Sequence, residues 1–148
     1  MKLNLGCGSK KLDGYVNVDK QKECEPDVVC DLDYHRDWPW EDDSVDEVRF
    51  WHSLEHMGAD AEAYFHIIKE TYRVCKPGAQ VHIAFPHHRH DDFFDDPTHV
   101  RVLTANQFYL FSKKECEGWR DEGSANTLLA LFLGVDFKVT NVKMLLDK

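Results

Sequence analysis

The sequence predicts an α/β protein built on a mostly parallel β-sheet. Short apolar runs typical of strands in a parallel sheet alternate with turn signals and with one clear amphipathic helix. Glycines and polar side chains follow the ends of these runs, which is where ligands bind in sheets of this kind. The 148 residues contain no linker-like tract, so a single domain over residues 1–148 is expected.

The first three predicted strands lie within the first 30 residues, at Lys2–Leu5, Tyr15–Val18 and Asp27–Cys30. Gly6-Cys7-Gly8 follows the first strand, where two glycines allow a sharp turn and a close approach of a ligand to the main chain. Asp19 follows the second strand, where a carboxylate can accept hydrogen bonds from ribose hydroxyls. Together these features predict a pocket for an adenosine-containing cofactor. The alternative is a glycine turn followed by a solvated aspartate.

The later predicted elements are a strand, a helix and two further strands. Val45–Trp51 is the fourth strand, and Ala59–Cys75 is a helix whose apolar residues recur at three- and four-residue steps. Lys76-Pro77-Gly78 ends the helix, because proline cannot continue the hydrogen-bond ladder and glycine permits the turn. Val81–Phe85 alternates as the fifth strand, and Val135–Leu145 is predicted as a last strand.

The glycine turn differs from that of a dinucleotide or nucleoside triphosphate site. Gly6 and Gly8 are not followed by a third glycine, and six residues before Tyr15 are too few for a crossover helix. A G-x-x-x-x-G-K-[ST] run is also absent from the sequence. S-Adenosylmethionine carries no phosphate, so a short glycine turn and a ribose-binding acid would hold it. The sequence therefore favours this cofactor.

Five motifs occur in the order found in one large enzyme family: LNLGCGS, NVD, DLDYHRDWPWEDDSVDEV, HSLEHM and YRVCKPG. By these motifs the chain resembles class I S-adenosylmethionine-dependent methyltransferases, and among them the type 11 group, over residues 3–86. The resemblance implies a methyltransferase with a three-layer Rossmann-like sheet and S-adenosylmethionine as cofactor. Relative to that pattern, the N- and C-terminal ends are expected to be abbreviated.

The resemblance also implies a set of cofactor-binding residues. Asp31 and Leu32 would flank the adenine, and His52 and Ser53 would border the methionine moiety. Asn4 stands near the place where relatives often carry an acid, and its amide can still accept a hydrogen bond from the cofactor ammonium. The full expected set is Asn4, Gly6, Cys7, Gly8, Asp19, Asp31, Leu32, His52 and Ser53.

Residues Pro86–Pro97 form a long segment without periodicity, which inside a compact domain is often functional. Phe93 and Phe94 argue against disorder, because aromatic side chains prefer packed partners. We predict a lid on the acceptor side that contributes His87, His88, His90 and His99. These histidines and the neighbouring aspartates are potential metal ligands. Adjacent histidines point apart in an extended chain, however, and no helical H-x-x-x-H spacing occurs, so we expect a polar lid and no metal.

The expected chemistry is methyl transfer to an oxygen of a small molecule or sugar. The Asn/Asp-Pro-Pro-Tyr signature of amino-methyltransferases is absent after the fourth strand. A hydroxyl acceptor needs a base, and histidine titrates in the suitable range, which makes His52, His87 and His99 the candidate catalytic residues. The alternative is a catalytically inactive S-adenosylmethionine-binding sensor or partner subunit. A nucleotide-binding oxidoreductase is disfavoured by the incomplete glycine pattern.

Charge and cysteine content limit the partners. The chain has 27 acidic and 18 basic residues, and its net charge of −9 disfavours nucleic acid. Apolar runs fall short of the ~20 residues that a membrane span needs. Five cysteines without C-x-x-C spacing, and no secretory signal, predict reduced thiols in the cytoplasm. A homodimer could cover an open sheet edge.

Overall fold

The computed structural model describes residues 1–34 and 36–144, which form two compact units. The first unit spans Met1–Leu103 and contains the β-sheet, and the second begins at Thr104 and is helical. A single domain over residues 1–148 stays a prediction. Within the described residues, the helices lack the length and apolar character needed to cross a bilayer.

The first unit is built on a five-stranded sheet in the order β3-β2-β1-β4-β5. All pairings among its described strands are parallel. The order reverses between β1 and β4, and sheets of this type bind ligands outside the carboxyl ends of the strands at such a reversal. The predicted α/β class with a mostly parallel, Rossmann-like sheet is confirmed. The strands are β1 (Lys2–Leu5), β2 (Val16–Asp19), β3 (Val28–Val29), β4 (Val45–Trp51) and β5 (Cys75–Ala84).

The two faces of the sheet differ in chemistry, because successive side chains of a strand point to opposite sides. One face is apolar and buried, and its residues are in register across the strands: Leu3, Leu5, Val18, Val48 and Phe50. The other face is polar. On that face Lys2 Nζ lies 2.8 Å from a Glu47 carboxylate oxygen, and Asn4 Nδ2 donates to Asn17 Oδ1 at 2.9 Å. Apolar and polar side chains therefore both occur along the strands of the first unit, which are not apolar throughout.

Helix α1 (Ala61–Val74) connects β4 to β5. Asp60 caps it, with Oδ1 accepting from the Ala63 N–H at 2.8 Å. The helix buries one face, which includes Ile67, Ile68 and Val74. It begins two residues later and ends one residue earlier than the predicted Ala59–Cys75, because Asp60 occupies the N-cap and Cys75 already pairs in the sheet.

The Lys76-Pro77-Gly78 segment lies inside β5 instead of forming a turn before it. Val45 pairs with Cys75 and Glu47 pairs with Gln80, so β5 carries extra residues as a bulge. Gly78 has a φ of +83°, a left-handed conformation that favours glycine. The predicted start of this strand at Val81 is therefore wrong.

The second unit contains a 3₁₀ segment at Ala105–Phe111, helix α3 at Lys113–Glu122 and helix α4 at Leu129–Leu133. The short helix α2 (Asp91–Asp95) belongs to the first unit. The strand predicted at Val135–Leu145 is wrong over residues 135–144, which form no strand, and Leu145 lies outside the described residues. Apolar alternation makes a strand only where a neighbouring strand supplies hydrogen bonds, and no strand is present among residues 104–144.

An ion pair on α1 between the buried Glu70 and the half-buried Arg73 holds the segment that precedes β4. Glu70 accepts hydrogen bonds from the Trp38 N–H and from Arg73, whose Nη2 lies 2.6 Å away. Arg73 also donates to the Trp40 carbonyl oxygen at 2.9 Å and to Asp42 Oδ1 at 2.7 Å. Burial opposes ionisation of Glu70, but the hydrogen bonds from Arg73 and Trp38 outweigh it and lower the pKa of this carboxyl.

We expect Glu70→Gln to lower the free energy of unfolding at pH 7 by about 1–3 kcal/mol, because the amide weakens the hydrogen bonds from Arg73 and removes the better buried of its two carboxylate partners. Since the pKa of Glu70 is lower in the folded chain, its contribution is present above the ordinary value of 4.5 and is lost as the pH falls below it. Urea unfolding at pH 7 and in acid measures this dependence. The difference between parent and variant should narrow in acid, and a constant difference would contradict the assignment.

Asp42→Asn is the matched control for this prediction. Asp42 contacts the same guanidinium, but its side chain is 74% exposed. We expect a change of less than about 1 kcal/mol, because exposed ion pairs contribute little.

Candidate functional site

A cleft of about 260 Å³ opens at the carboxyl ends of the strands. It lies where the strand order reverses, and its volume is just below the roughly 300–1,000 Å³ typical of ligand pockets. Its walls are the glycine turn after β1, the end of β2 and the segments that follow β3 and β4. The lining residues are Gly6, Gly8, Asp19, Lys20, Cys30, Asp31, Leu32, Asp33, His52, Ser53, His56 and Met57.

Most of the predicted cofactor-binding residues meet in this cleft. They are Gly6, Gly8, Asp19, Asp31, Leu32, His52 and Ser53. Asn4 and Cys7 instead line a separate cleft of about 160 Å³ together with Arg49 and Trp51. Asn4 lies on the polar face of the sheet, because its neighbours Leu3 and Leu5 occupy the apolar face. Its amide donates to the Lys10 carbonyl oxygen at 3.0 Å, so Asn4 ties the glycine turn to the sheet.

The turn after β1 needs glycine for two reasons: a left-handed backbone conformation at Gly6 and Gly8, and the close approach of Ser53 to Gly6. The Gly6 and Cys7 N–H groups donate to the Val18 carbonyl oxygen at 2.9 and 3.0 Å. Gly6 has a φ of +68°, and a Cβ there would lie 2.5 Å from Ser53 Cβ. Gly8 has a φ of +51°, but a Cβ there would meet nothing within 4 Å. Gly6 is therefore needed for space and conformation, and Gly8 for conformation.

Asp19, the predicted ribose ligand, also holds the glycine turn. Its Oδ2 accepts from the Gly8 N–H at 2.8 Å, and its Oδ1 accepts from the Gln21 N–H at 2.9 Å. Carboxylate oxygens can accept more than one hydrogen bond, so these contacts leave capacity for ribose hydroxyls.

The residues after β4 join that strand to β1 and to the cleft. Ser53 is buried and its Oγ donates to the Leu5 carbonyl oxygen at 2.8 Å. His52 has a φ of +51°, which is uncommon for a residue with a Cβ and is frequent at functional sites. Its side chain is 54% exposed, and Nδ1 lies 3.6 Å from Glu55 Oε1. His52 is therefore an accessible base on the wall of the cleft.

A second group of ionisable side chains borders the cleft beside His52. Glu55 lies in the 3₁₀ turn Leu54–His56 and is 1% exposed. One potential ligand atom from each of Glu55, His56 and His99 lies within 4.8 Å of the other two, and we call these residues the Glu55–His56–His99 cluster. The His56 and His99 ring centroids are 4.5 Å apart.

The segment predicted as a lid contains regular structure. Helix α2 is capped by His90, whose Nδ1 accepts from the Asp92 N–H at 3.3 Å, and it buries Phe93. His87 is exposed, and its ring centroid lies 4.4 Å from that of His88. His99 contacts His56, whereas His87, His88 and His90 are not among the residues that line the cleft. The prediction that this segment is a loop without regular structure is wrong, because residues Asp91–Asp95 form helix α2. The lid itself stays a prediction.

Glu55 and His56 were not predicted as site residues, although the sequence contained a signal for them. Leu54-Glu55-His56 directly follows the fourth strand, and the carboxyl end of that strand borders the reversal in strand order. Three residues next to predicted ones also line the cleft, namely Lys20, Cys30 and Asp33, and so does Met57.

Comparison with solved structures identifies the fold. A SAM-dependent methyltransferase from Archaeoglobus fulgidus matches 90% of this chain with a TM-score of 0.63 and 20% sequence identity. The YcgJ protein from Bacillus subtilis matches 89% of this chain, and 74% of its own, with a TM-score of 0.58 and 16% identity. A Haloferax volcanii methyltransferase complex with the Trm112 methyltransferase activator gives a TM-score of 0.54 at 21% identity over 82% of this chain.

These comparisons establish that the chain has the fold of S-adenosylmethionine-dependent methyltransferases, as the sequence predicted. The chain spans 59% of the Archaeoglobus chain and 60% of the Haloferax chain. Neither a protein-family model nor a curated protein matches it.

The glycine turn yields a prediction with an internal control. We expect Gly6→Ala to lower the free energy of unfolding by at least about 2 kcal/mol, because it adds a clash with Ser53 to a left-handed conformation. Gly8→Ala should lower it by about 1–2 kcal/mol from backbone conformation alone. Urea unfolding of both variants measures the difference. Equal losses would show that the Gly6–Ser53 approach does not constrain the turn.

Proposed function

We propose that the chain binds S-adenosylmethionine in the cleft and transfers its methyl group to an oxygen of a small molecule or sugar. The observation that carries the proposal is the meeting of the glycine turn, Asp19 and Asp31 at the strand reversal of a methyltransferase fold. Asp19 would bind the ribose, Asp31 and Leu32 the adenine, and His52 and Ser53 the methionine end.

The charge of the cleft supports this cofactor over a dinucleotide. The cleft is lined by three aspartates: Asp19, Asp31 and Asp33. Lys20 is the one lysine or arginine among the described residues that line it. An acidic cleft attracts the sulfonium and ammonium groups of S-adenosylmethionine and repels a pyrophosphate. Residues 6–15, between β1 and β2, form no helix whose N-terminus could hold a pyrophosphate.

The proposed reaction is an in-line displacement at the sulfonium methyl. The acceptor oxygen forms the new O–C bond while the C–S bond breaks and its electron pair stays on sulfur, which releases S-adenosylhomocysteine. The hydroxyl proton passes to a base. His52 is the best placed of the three candidates, because it lines the cleft, whereas His99 lies beside His56 and His87 is exposed outside it. Holding the acceptor in line with the methyl supplies most of the remaining catalysis.

The second candidate is a non-catalytic S-adenosylmethionine-binding sensor or partner subunit. One observation favours it: a structural neighbour is a methyltransferase in complex with an activator protein. The exposed Val29 on strand β3, at one end of the described sheet, could meet such a partner or a second copy of this chain. The five free cysteines favour a cytoplasmic location, and the net charge disfavours nucleic acid.

We expect calorimetry to show binding of S-adenosylhomocysteine and not of NAD. Asp19→Ala should weaken this binding by about 5–150-fold, which corresponds to about 1–3 kcal/mol, because a ribose partner is lost. Asp19→Asn keeps an oxygen that can accept from the Gly8 N–H but turns its NH2 group toward the Gln21 N–H, so it should lower unfolding stability less than Asp19→Ala while still weakening binding. Asp13→Ala, at an exposed acid outside the cleft, is the control. Parental affinity in Asp19→Ala would refute the ribose assignment.

We expect His52→Ala to reduce turnover by about 10²–10⁴-fold and to weaken S-adenosylhomocysteine binding much less, because the base is lost while Asp19, Asp31, Leu32 and Ser53 still line the cleft. Release of S-adenosylhomocysteine in the presence of a panel of hydroxylated acceptors is the readout. His82→Ala, at an exposed histidine of β5 outside the cleft, is the control. If His52→Ala, His87→Ala and His99→Ala all keep parental turnover, the histidine base is wrong. Tight cofactor binding without turnover on any acceptor would favour the sensor.

A further inference from the structure

We propose that the Glu55–His56–His99 cluster binds one divalent transition-metal ion, of the Zn²⁺ type, at the edge of the cleft. The inference stands on the geometry of these three side chains and does not need the cofactor to bind. Its role in catalysis, described below, rests on the proposed methyl transfer.

Glu55 is the first reason for this assignment. Its side chain is 1% exposed, and neither carboxylate oxygen accepts a hydrogen bond from the described residues. The guanidinium of Arg101 donates instead to the Gly58 and Asp60 carbonyl oxygens, and His52 Nδ1 remains 3.6 Å away from Oε1. A buried carboxylate without donors is unfavourable unless a cation compensates it. A metal ion bound by Glu55 would supply that compensation.

The backbone holds His99 beside Glu55. The Val100 and Arg101 N–H groups both donate to the Glu55 carbonyl oxygen, at 2.9 and 3.1 Å. Two residues from separate segments of the chain are thereby fixed next to each other. The cluster is part of the folded first unit and does not depend on a chance contact of exposed side chains.

The second reason is the tautomer of His56 and His99, which leaves one ring nitrogen of each free to bind a metal ion. His99 Nδ1 lies 2.7 Å from the Phe93 carbonyl oxygen, which can only accept, so Nδ1 carries the proton and Nε2 keeps its lone pair. Thr98 Oγ1 donates to Asp96 Oδ1 at 2.6 Å and therefore accepts from His56 Nδ1 at 2.9 Å. His56 is thus held in the same tautomer. Metal-binding histidines typically donate their other ring N–H to a carbonyl, carboxylate or similar acceptor.

The donor set selects the class of metal. Two imidazoles and one carboxylate suit Zn²⁺ and similar ions, whereas Mg²⁺ and Ca²⁺ prefer oxygen ligands throughout. Bonds of about 2.0–2.2 Å place tetrahedral ligand atoms about 3.3 Å apart, so the cluster, with its atoms within 4.8 Å, needs to contract by up to about 1.5 Å. Three protein ligands leave a fourth position open, as in catalytic zinc sites.

The open position gives the metal a function in the proposed reaction. His56 lines the cleft as well as the cluster, and His52 lies on the same wall. A hydroxyl oxygen of the acceptor bound at the fourth position would have its pKa lowered by the ion. Its proton would pass to His52, and the resulting oxygen would attack the sulfonium methyl. This arrangement favours acceptors whose reacting hydroxyl can reach the metal as a single ligand.

Metal binding can be tested on the whole chain after dialysis against a chelator. Titration with Zn²⁺, and with Co²⁺ as a spectroscopic reporter, should show one ion per chain and the visible absorption of a four-coordinate Co²⁺ site. Glu55→Gln and His99→Ala should each weaken Zn²⁺ binding by about 100-fold or more. Thr98→Val removes the partner of His56 and should weaken it by about 10–100-fold. His82→Ala should bind as the parent does.

Several outcomes would overturn the site. Parental Zn²⁺ affinity in both Glu55→Gln and His99→Ala would refute it, as would the absence of binding by the parent. Loss of binding in a His87→Ala/His88→Ala/His90→Ala triple variant, with His99→Ala unaffected, would place the metal on those three histidines instead. If His99→Ala does not fold, His56→Gln and Thr98→Val test the same ligand set. Calorimetry with S-adenosylhomocysteine on the metal-free chain tests the cofactor separately, so either proposal can fail alone.

Discussion

The ends of β1 and β4 meet at Gly6 and Ser53, and the candidate site depends on this close approach. Ser53 Oγ donates to the Leu5 carbonyl oxygen, while the missing Cβ of Gly6 leaves room for the Ser53 side chain. The same contact fixes the glycine turn on one side and the His52–Glu55 segment on the other. The cofactor cleft and the histidine cluster therefore share one structural support, and a change at Gly6 would disturb both.

Acidic side chains dominate the cleft and its edge, but they are held in different ways. Asp19 accepts backbone N–H groups and stays accessible, so it can exchange or add ligands as a cofactor arrives. Glu55 is buried and accepts no hydrogen bond from the described residues, so a bound cation would stabilise its carboxylate. A positively charged cofactor fits the first environment, and a metal ion fits the second.

The sequence predicted those features that depend on neighbouring residues along the chain. β1 and β4 have the predicted bounds, because each is a short stretch whose apolar residues are buried in the core: Leu3 and Leu5 in β1, and Val45, Val48 and Phe50 in β4. Asn4 was predicted to contact the cofactor, but it lies on the polar face of the sheet and lines a separate cleft, because its neighbours Leu3 and Leu5 share the core face. The bulge in β5 could not be predicted, because it depends on the register with β4. The cluster could not be predicted either, because 43 residues separate Glu55 from His99 and no sequence motif indicates that these two residues are close in the fold.

The Glu55 backbone also limits how the segment after β5 can move. At one end, the Ala84 carbonyl oxygen accepts from the His52 N–H at 2.9 Å, and at the other end Val100 and Arg101 donate to Glu55. Both ends are thus attached to the segment that follows β4, and any closing motion is confined to the residues between them. His99 lies just inside that boundary. A metal ion bound by His99, His56 and Glu55 would therefore tie the predicted lid to the cleft through His56, and would couple metal binding to the order of this segment.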